Sequence, residues 1–180
     1  MKIITGDKKG KSITTLQGEQ VRPTASRVKE GIFSAIQFTV PYCSFLDLFC
    51  GSGQMGIEAL SRNAREVYFV DNYKQSIAVT KENLKNADFT SNAFVISADY
   101  KTFLQSTDKT FDIAFLDPPY NEGILQQALP LVVSKINDGG IILCEHDSKD
   151  ILPEKVEDFI LKKKYKYGRI CVSKYEKDTD

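Results

Sequence analysis

A chain of 180 residues, 42% hydrophobic and 27% charged, has enough apolar material for one packed core and is too apolar to stay disordered. Its 24 basic and 24 acidic residues cancel, which taken alone argues against a nucleic-acid partner. No apolar run approaches the length of a membrane span, and the opening MKIITGDKKGK lacks the apolar centre of a secretory signal, so a cytoplasmic protein without a membrane partner is expected.

The charge is uneven along the chain. Residues 1–36 carry seven basic and three acidic side chains, residues 37–150 nine and fifteen, and residues 151–180 eight and six. A basic rim beside an acidic centre suits a phosphate-bearing partner.

In chain order, residues 2–16 read as a small hairpin turning at 7–10. A helix follows, opened by Pro23 and Thr24, with Val28, Ile32, Phe33 and Ile36 as its apolar stripe. From there, short apolar runs at 45–49, 67–71, 94–97, 113–117 and 141–145 alternate with amphipathic stretches at 55–62, 74–87, 100–105 and 124–136. This rhythm predicts an α/β fold with an open, mostly parallel sheet covered on both faces. The end, YKYGRICVSKYEK, reads as two strands bent at Gly168 that close the sheet in antiparallel fashion. No linker or repeat divides the chain, so a single domain is expected: an extension over 1–38 and a core over 39–180.

The four cysteines, Cys43, Cys50, Cys144 and Cys171, form no C-x-x-C pair. They read as buried thiols rather than metal ligands or a disulfide framework, and no metal is expected.

Ligands of such sheets bind where the strands end. Gly51-Ser52-Gly53 follows the first strand in FLDLFCGSGQMGIEALSR. It forms G-x-G-x-x-G with Gly56, a pattern shared with dinucleotide-binding turns. Its glycines permit close backbone approach, and the next helix presents free N–H groups. Asp71-Asn72 follows the second strand, where a carboxylate suits ribose hydroxyls. Asp99-Tyr100 follows the third, where an Asp suits an exocyclic amine such as adenine N6. Asp117-Pro118-Pro119-Tyr120 follows the fourth. There a carboxylate, proline-stiffened carbonyls and an aromatic ring suit a flat base bearing an NH2 group. Asp47, inside the first strand, would repel a pyrophosphate so close by and favours a cationic cofactor. S-adenosylmethionine meets that requirement better than NAD. His146, the one histidine, just after the fifth strand, and Glu145, at its end, read as rim residues.

With these residues in place, the chain resembles the class I S-adenosylmethionine-dependent methyltransferases with a [DN]PP[YF] motif, and more specifically the RsmD family of 16S rRNA guanine-N2 methyltransferases. The carriers are MKIITGDKKGKSI, VRPTASRVKEGIFS, FLDLFCGSGQMGIEALSR, FDIAFLDPPY and YKYGRICVSKYEK. The resemblance implies a seven-stranded Rossmann-like sheet with its last strand antiparallel. It also implies methylation of guanine 966, in conventional 16S numbering, within a small ribosomal subunit or its assembly intermediate. Asp117, Pro118, Pro119 and Tyr120 would be catalytic. Asp47, Gly51, Ser52, Gly53, Asp71, Asn72, Asp99 and Tyr100 would hold the cofactor. Lys9, Lys11, Arg22, Arg27 and the basic run at 162–166 are the candidate RNA contacts, and a monomer is expected. Competing readings are an N6-adenine methyltransferase acting on DNA or RNA, an NAD-dependent oxidoreductase, and a non-catalytic RNA-binding module.

Overall fold

The computed structural model describes residues 1–16, 23–120 and 122–178; of residues 23–25 it describes the backbone alone. Arg22 therefore lies outside the described residues. The uninterrupted apolar runs form the centre of an eight-stranded sheet, as burial on both faces requires. Its strands are β1 (Ser44–Leu48), β2 (Glu66–Asp71), β3 (Ala93–Ser97), β4 (Phe111–Leu116), β5 (Ile136–Asp147), β6 (Lys155–Val156), β7 (Phe159–Tyr167) and β8 (Ile170–Lys177). The order is β3-β2-β1-β4-β5-β8-β7-β6. β1 to β5 are parallel. β8 is antiparallel to both β5 and β7. The expected seven strands with an antiparallel last strand are present, and the two-residue β6 adds an eighth at the edge.

Five helices flank the sheet: α1 (Pro23–Ala35), α2 (Gln54–Ser61), α3 (Lys74–Asn86), α4 (Tyr100–Ser106) and α5 (Ile124–Val133). One apolar layer joins Val28, Ile32 and Phe33 of α1 to Ile57 of α2, Leu84 of α3 and one sheet face. On the other face, Phe103 and Leu104 of α4 pack with Leu125, Leu129 and Val132 of α5. The four cysteines are buried and free. No helix among the described residues is long and apolar enough to cross a membrane.

The opening segment forms the expected small hairpin: Lys2 and Ser12 bridge antiparallel, and the N–H groups of Ile3 and Ile13 donate to the Lys11 and Met1 carbonyls at 3.0 and 2.7 Å. It is held by other elements. The Glu58 carboxylate, fully buried on α2, accepts from the backbone N–H groups of Ile4 at 2.8 Å and Thr5 at 3.0 Å. It also faces Lys29 Nζ at 3.2 Å and the Arg62 guanidinium at 3.0 Å. Ser61 accepts from Asp7 N–H through its carbonyl and donates from Oγ to the Thr5 carbonyl. A Cβ on Gly6, whose φ is +86°, would overlap the Ser61 carbonyl, so the backbone itself forms this contact.

Candidate active site

The strand order reverses between β1 and β4, and a cleft of about 480 Å³ opens there. That volume suits a nucleoside-sized ligand. Asp47, Gly51, Ser52, Asp71, Asn72, Asp117, Pro118, Pro119 and Tyr120 all line it, so nine of the residues singled out in the sequence converge on one cavity. Gly53 stands behind them as the N-cap of α2 with φ +76°. A Cβ there would press to 2.8 Å from the Thr80 methyl, which fixes glycine at this turn.

α3 and the end of β2 hold the glycine loop. Thr80 Oγ1 donates to the Gly51 carbonyl at 2.9 Å, and Asn83 Nδ2 donates to the Ser52 carbonyl at 2.9 Å. Asp71 Oδ2 accepts from Gly51 N–H at 2.9 Å, while its Oδ1 accepts from Tyr73 N–H at 2.8 Å. A carboxylate has about four acceptor sites, so each oxygen of Asp71 keeps one lone pair for a ligand. Asn83 is buried and also brackets Thr14, accepting from its N–H and donating to its carbonyl, both at 2.8 Å. The opening segment is thereby tied to the loop it covers, and Leu16 at its end lines the cleft.

Asp47 is 2% exposed and accepts from Gly56 N–H at 2.8 Å. Burial pushes its carboxyl up to about 7, the Gly56 N–H opposes the rise, and Asp71 adds to it. Ser52 Oγ and Gln54 Oε1 are buried without a hydrogen-bond partner. Unpaired buried polar atoms are costly. With the first-turn N–H groups of α2, they form a mixed donor and acceptor set at the end of β1. A cationic amino-acid group that also carries a carboxylate fits this set, and a pyrophosphate does not.

Asp99 and Tyr100 stand at the end of β3, apart from this lining. Asp99 is exposed and caps α4, accepting from Lys101 N–H at 2.9 Å. Tyr100 packs on Phe49, ring centroids 5.2 Å apart. Phe49 lines the cleft, whereas Asp99 and Tyr100 are outside its lining. His146 is not a rim residue: it is 2% exposed, with Nε2 2.9 Å from Ser173 Oγ and Nδ1 2.8 Å from the Asp147 carbonyl.

Sequence reasoning missed the role of Glu145. The Tyr120 hydroxyl donates to Glu145 Oε1 at 2.8 Å. Burial raises the Glu145 carboxyl above the usual range, and burial, Asp117 and Glu145 together raise the Tyr120 hydroxyl. The ring of the DPPY loop is therefore fixed at both ends, by Pro119 in the chain and by Glu145 through space. The sequence signal was position alone: Glu145 lies near the end of β5, the neighbour of β4.

The match to the family model described as conserved hypothetical protein 95 covers residues 1–176. The chain is 40% identical over 182 residues to the putative rRNA methyltransferase YlbH of Bacillus subtilis, covering 98% of this chain and 99% of that one. It is 36% identical to the ribosomal RNA small subunit methyltransferase D of Haemophilus influenzae over 73% of this chain and 70% of that one. The chain belongs to the RsmD family of rRNA methyltransferases. The RsmD-type architecture extends to the solved putative methyltransferase yhhF of Escherichia coli, with a TM-score of 0.86, 25% identity, and 100% and 99% of the two chains covered. Membership sets aside the NAD-dependent oxidoreductase. The G-x-G-x-x-G of this RsmD-family chain is shared loop geometry.

Proposed function

We propose that this chain methylates the exocyclic N2 of a guanine in 16S rRNA, guanine 966 in conventional numbering, within a small ribosomal subunit or its assembly intermediate. The methyl donor is S-adenosylmethionine, which supplies an electrophilic methyl on a sulfonium centre. The observation that carries this reading is convergence: the Asp117-Pro118-Pro119-Tyr120 loop opens into the same cleft as Asp47, the glycine loop and Asp71.

Each group has a defined task. Asp71, with Asn72 beside it, accepts from ribose hydroxyls. Asp47 faces the cationic amino-acid end, and the glycine loop with Ser52 closes around it. Tyr120, steadied by Glu145, stacks the target base once it has left its own stack. The Asp117 carboxylate and the Pro118 carbonyl accept the two N2 hydrogens, which draws the nitrogen lone pair out of conjugation and aims it into the cleft. As the N2–methyl bond forms, the sulfur–methyl bond of the cofactor would break and release S-adenosylhomocysteine; the positive charge that moves to N2 is stabilised by the fixed Asp117 carboxylate, and the extra N2 proton leaves to Asp117 or water. Mass analysis of rRNA nucleosides from cells with and without the chain tests the assignment. Loss of one N2-methylguanosine on deletion is expected, and an unchanged content overturns it.

Two results address the cofactor end. Asp71→Ala removes both the ribose acceptor and the partner of Gly51 N–H, so S-adenosylmethionine affinity should fall by about 10- to 100-fold, two lost hydrogen bonds at about 1 kcal/mol or more each. Calorimetry showing unchanged affinity would remove that role. Asp47 gives a pH dependence. In the folded chain it holds its proton up to about 7, whereas unfolded it ionises near the ordinary aspartate value. Its contribution to stability is therefore largest in acid and falls as pH rises from about 4 to about 7. A cationic ligand prefers the carboxylate form, so affinity should rise by up to about tenfold per pH unit between about pH 5.5 and 7. Asp47→Asn should flatten that profile; a profile equally steep in the variant would contradict the assignment.

A further inference from the structure

The RNA-contact candidates fall at opposite ends of the sheet. Lys9 and Lys11 belong to the turn that docks on the C-terminal ends of α2 and α3. Lys11 Nζ pairs with Asp88 and donates to the Asn86 carbonyl at 3.1 Å, and Lys8 reaches Asp88 at 3.4 Å. Helices in a parallel sheet return the chain from the end of one strand to the start of the next, so these helix ends mark the edge where strands begin. The DPPY loop opens at the other edge.

β7 delivers its cations to that other edge. It runs with β5, because β8 is antiparallel to both. Its last residue, Tyr167, pairs with Ile170, which pairs with Asp147 at the end of β5. The Arg169 carbonyl accepts from Ser148 N–H at 2.8 Å. The register sets Lys164 opposite Ser173 and Lys166 opposite Cys171, the partner of His146, so both lysines project from the sheet face opposite Tyr165 and Glu145. Two strand spacings, about 10 Å, separate β5 from β7. α1 closes against the same strand end, since a Cβ on Gly31 would overlap the Tyr167 ring. Arg27, one turn earlier on α1, is exposed and stands on the Tyr165–Tyr167 side of the sheet, away from Lys164 and Lys166.

Lys164, Lys166 and Arg169 are exposed as well. Among the described residues none of these three, nor Arg27, forms an ion pair, whereas Lys8, Lys11, Lys155 and Lys177 all pair with aspartates. Closely set like charges on rigid elements repel, and a polyanion relieves that repulsion. Resting on the rRNA reading above, we infer that the end of β7 and the β7–β8 turn form the wall that holds the RNA phosphates flanking the target base, through Lys164, Lys166 and Arg169. The Lys8–Lys11 turn is a structural fastening at the far end.

The test is a triple variant, Lys164→Gln with Lys166→Gln and Arg169→Gln, assayed by initial rates of methyl transfer into small ribosomal subunits lacking the modification. The double variant Lys85→Gln with Lys109→Gln, at the opposite edge, is the control for loss of distant positive charge. The triple variant should raise KM for the particle about tenfold or more. Its salt dependence on a log–log scale should become shallower by about 2, three contacts at about 0.7 each. kcat, S-adenosylmethionine affinity and Tm should match the wild type, and the control should change neither KM nor slope. A triple variant with wild-type KM and slope overturns the wall while leaving the rRNA reading intact. Failure of the wild-type chain to transfer any methyl overturns both.

Discussion

Asp117→Ala should lose about 100- to 1000-fold in kcat while binding S-adenosylmethionine as tightly as the wild type. The carboxylate stands at the mouth of the cleft, at the end of β4. On the proposed mechanism it holds one N2 hydrogen and meets the positive charge that develops as the nitrogen is alkylated. Removing one preorganised electrostatic partner of a transition state costs about 2.7 to 4 kcal/mol. The cofactor contacts lie on β1, β2 and the glycine loop, so they are untouched. Single-turnover rates with cofactor calorimetry separate the two effects. Full turnover in the variant would remove Asp117 from the chemistry, and a parallel loss of cofactor affinity would make it a structural residue of the cleft.

Glu58→Ala should be the most destabilising single change away from the site. The side chain is fully buried, and its loss strands Lys29, which is 1% exposed, together with the N–H groups of Ile4 and Thr5. Breaking a buried pair costs about 3 to 5 kcal/mol, so Tm should fall by about 10 °C or more at 2 to 4 °C per kcal/mol. Burial already holds the Lys29 ammonium below its usual pKa, with Glu58 opposing the shift. Lys29→Met should cost much less, because Glu58 keeps Arg62 and two backbone donors. Thermal unfolding of the two variants checks this. Equal losses would mean that the ion pair, and not the anchoring of the opening segment, carries the stability.

The parallel half of the sheet was legible because β1 to β4 are short, mostly apolar runs set between polar or helix-forming stretches. β5 was not read at full length. Its first half, Asn137-Asp138-Gly139-Gly140, has the composition of a turn, yet Ile136 pairs with Phe111 before a register shift leads into the apolar half. Gly139, with φ +77°, sits in that irregular stretch. β6 has two residues and exists only because β7 lies beside it. Periodicity carries no signal for such a strand.

The site was legible where chemistry follows a strand end directly, as with Asp71 and the DPPY loop. It was obscure where a polar residue of one element serves a distant one. Glu58, Ser61 and Asn83 stand on helices and would be read as solvent-facing by composition. They are buried because backbone more than 50 residues away in sequence lies on them. Glu145 and His146 are adjacent in β5, so their side chains point to opposite faces. One meets Tyr120 and the other enters the core, a distinction that depends on which strands flank β5.

The central claim is transfer of a methyl group to guanine N2 in the small-subunit rRNA. The most direct measurement uses the purified chain, labelled S-adenosylmethionine, and small ribosomal subunits from cells lacking the enzyme, followed by nucleoside analysis. The account predicts label in N2-methylguanosine at a single site and none with Asp117→Ala. Label in N6-methyladenine, or none in rRNA at all, would contradict it.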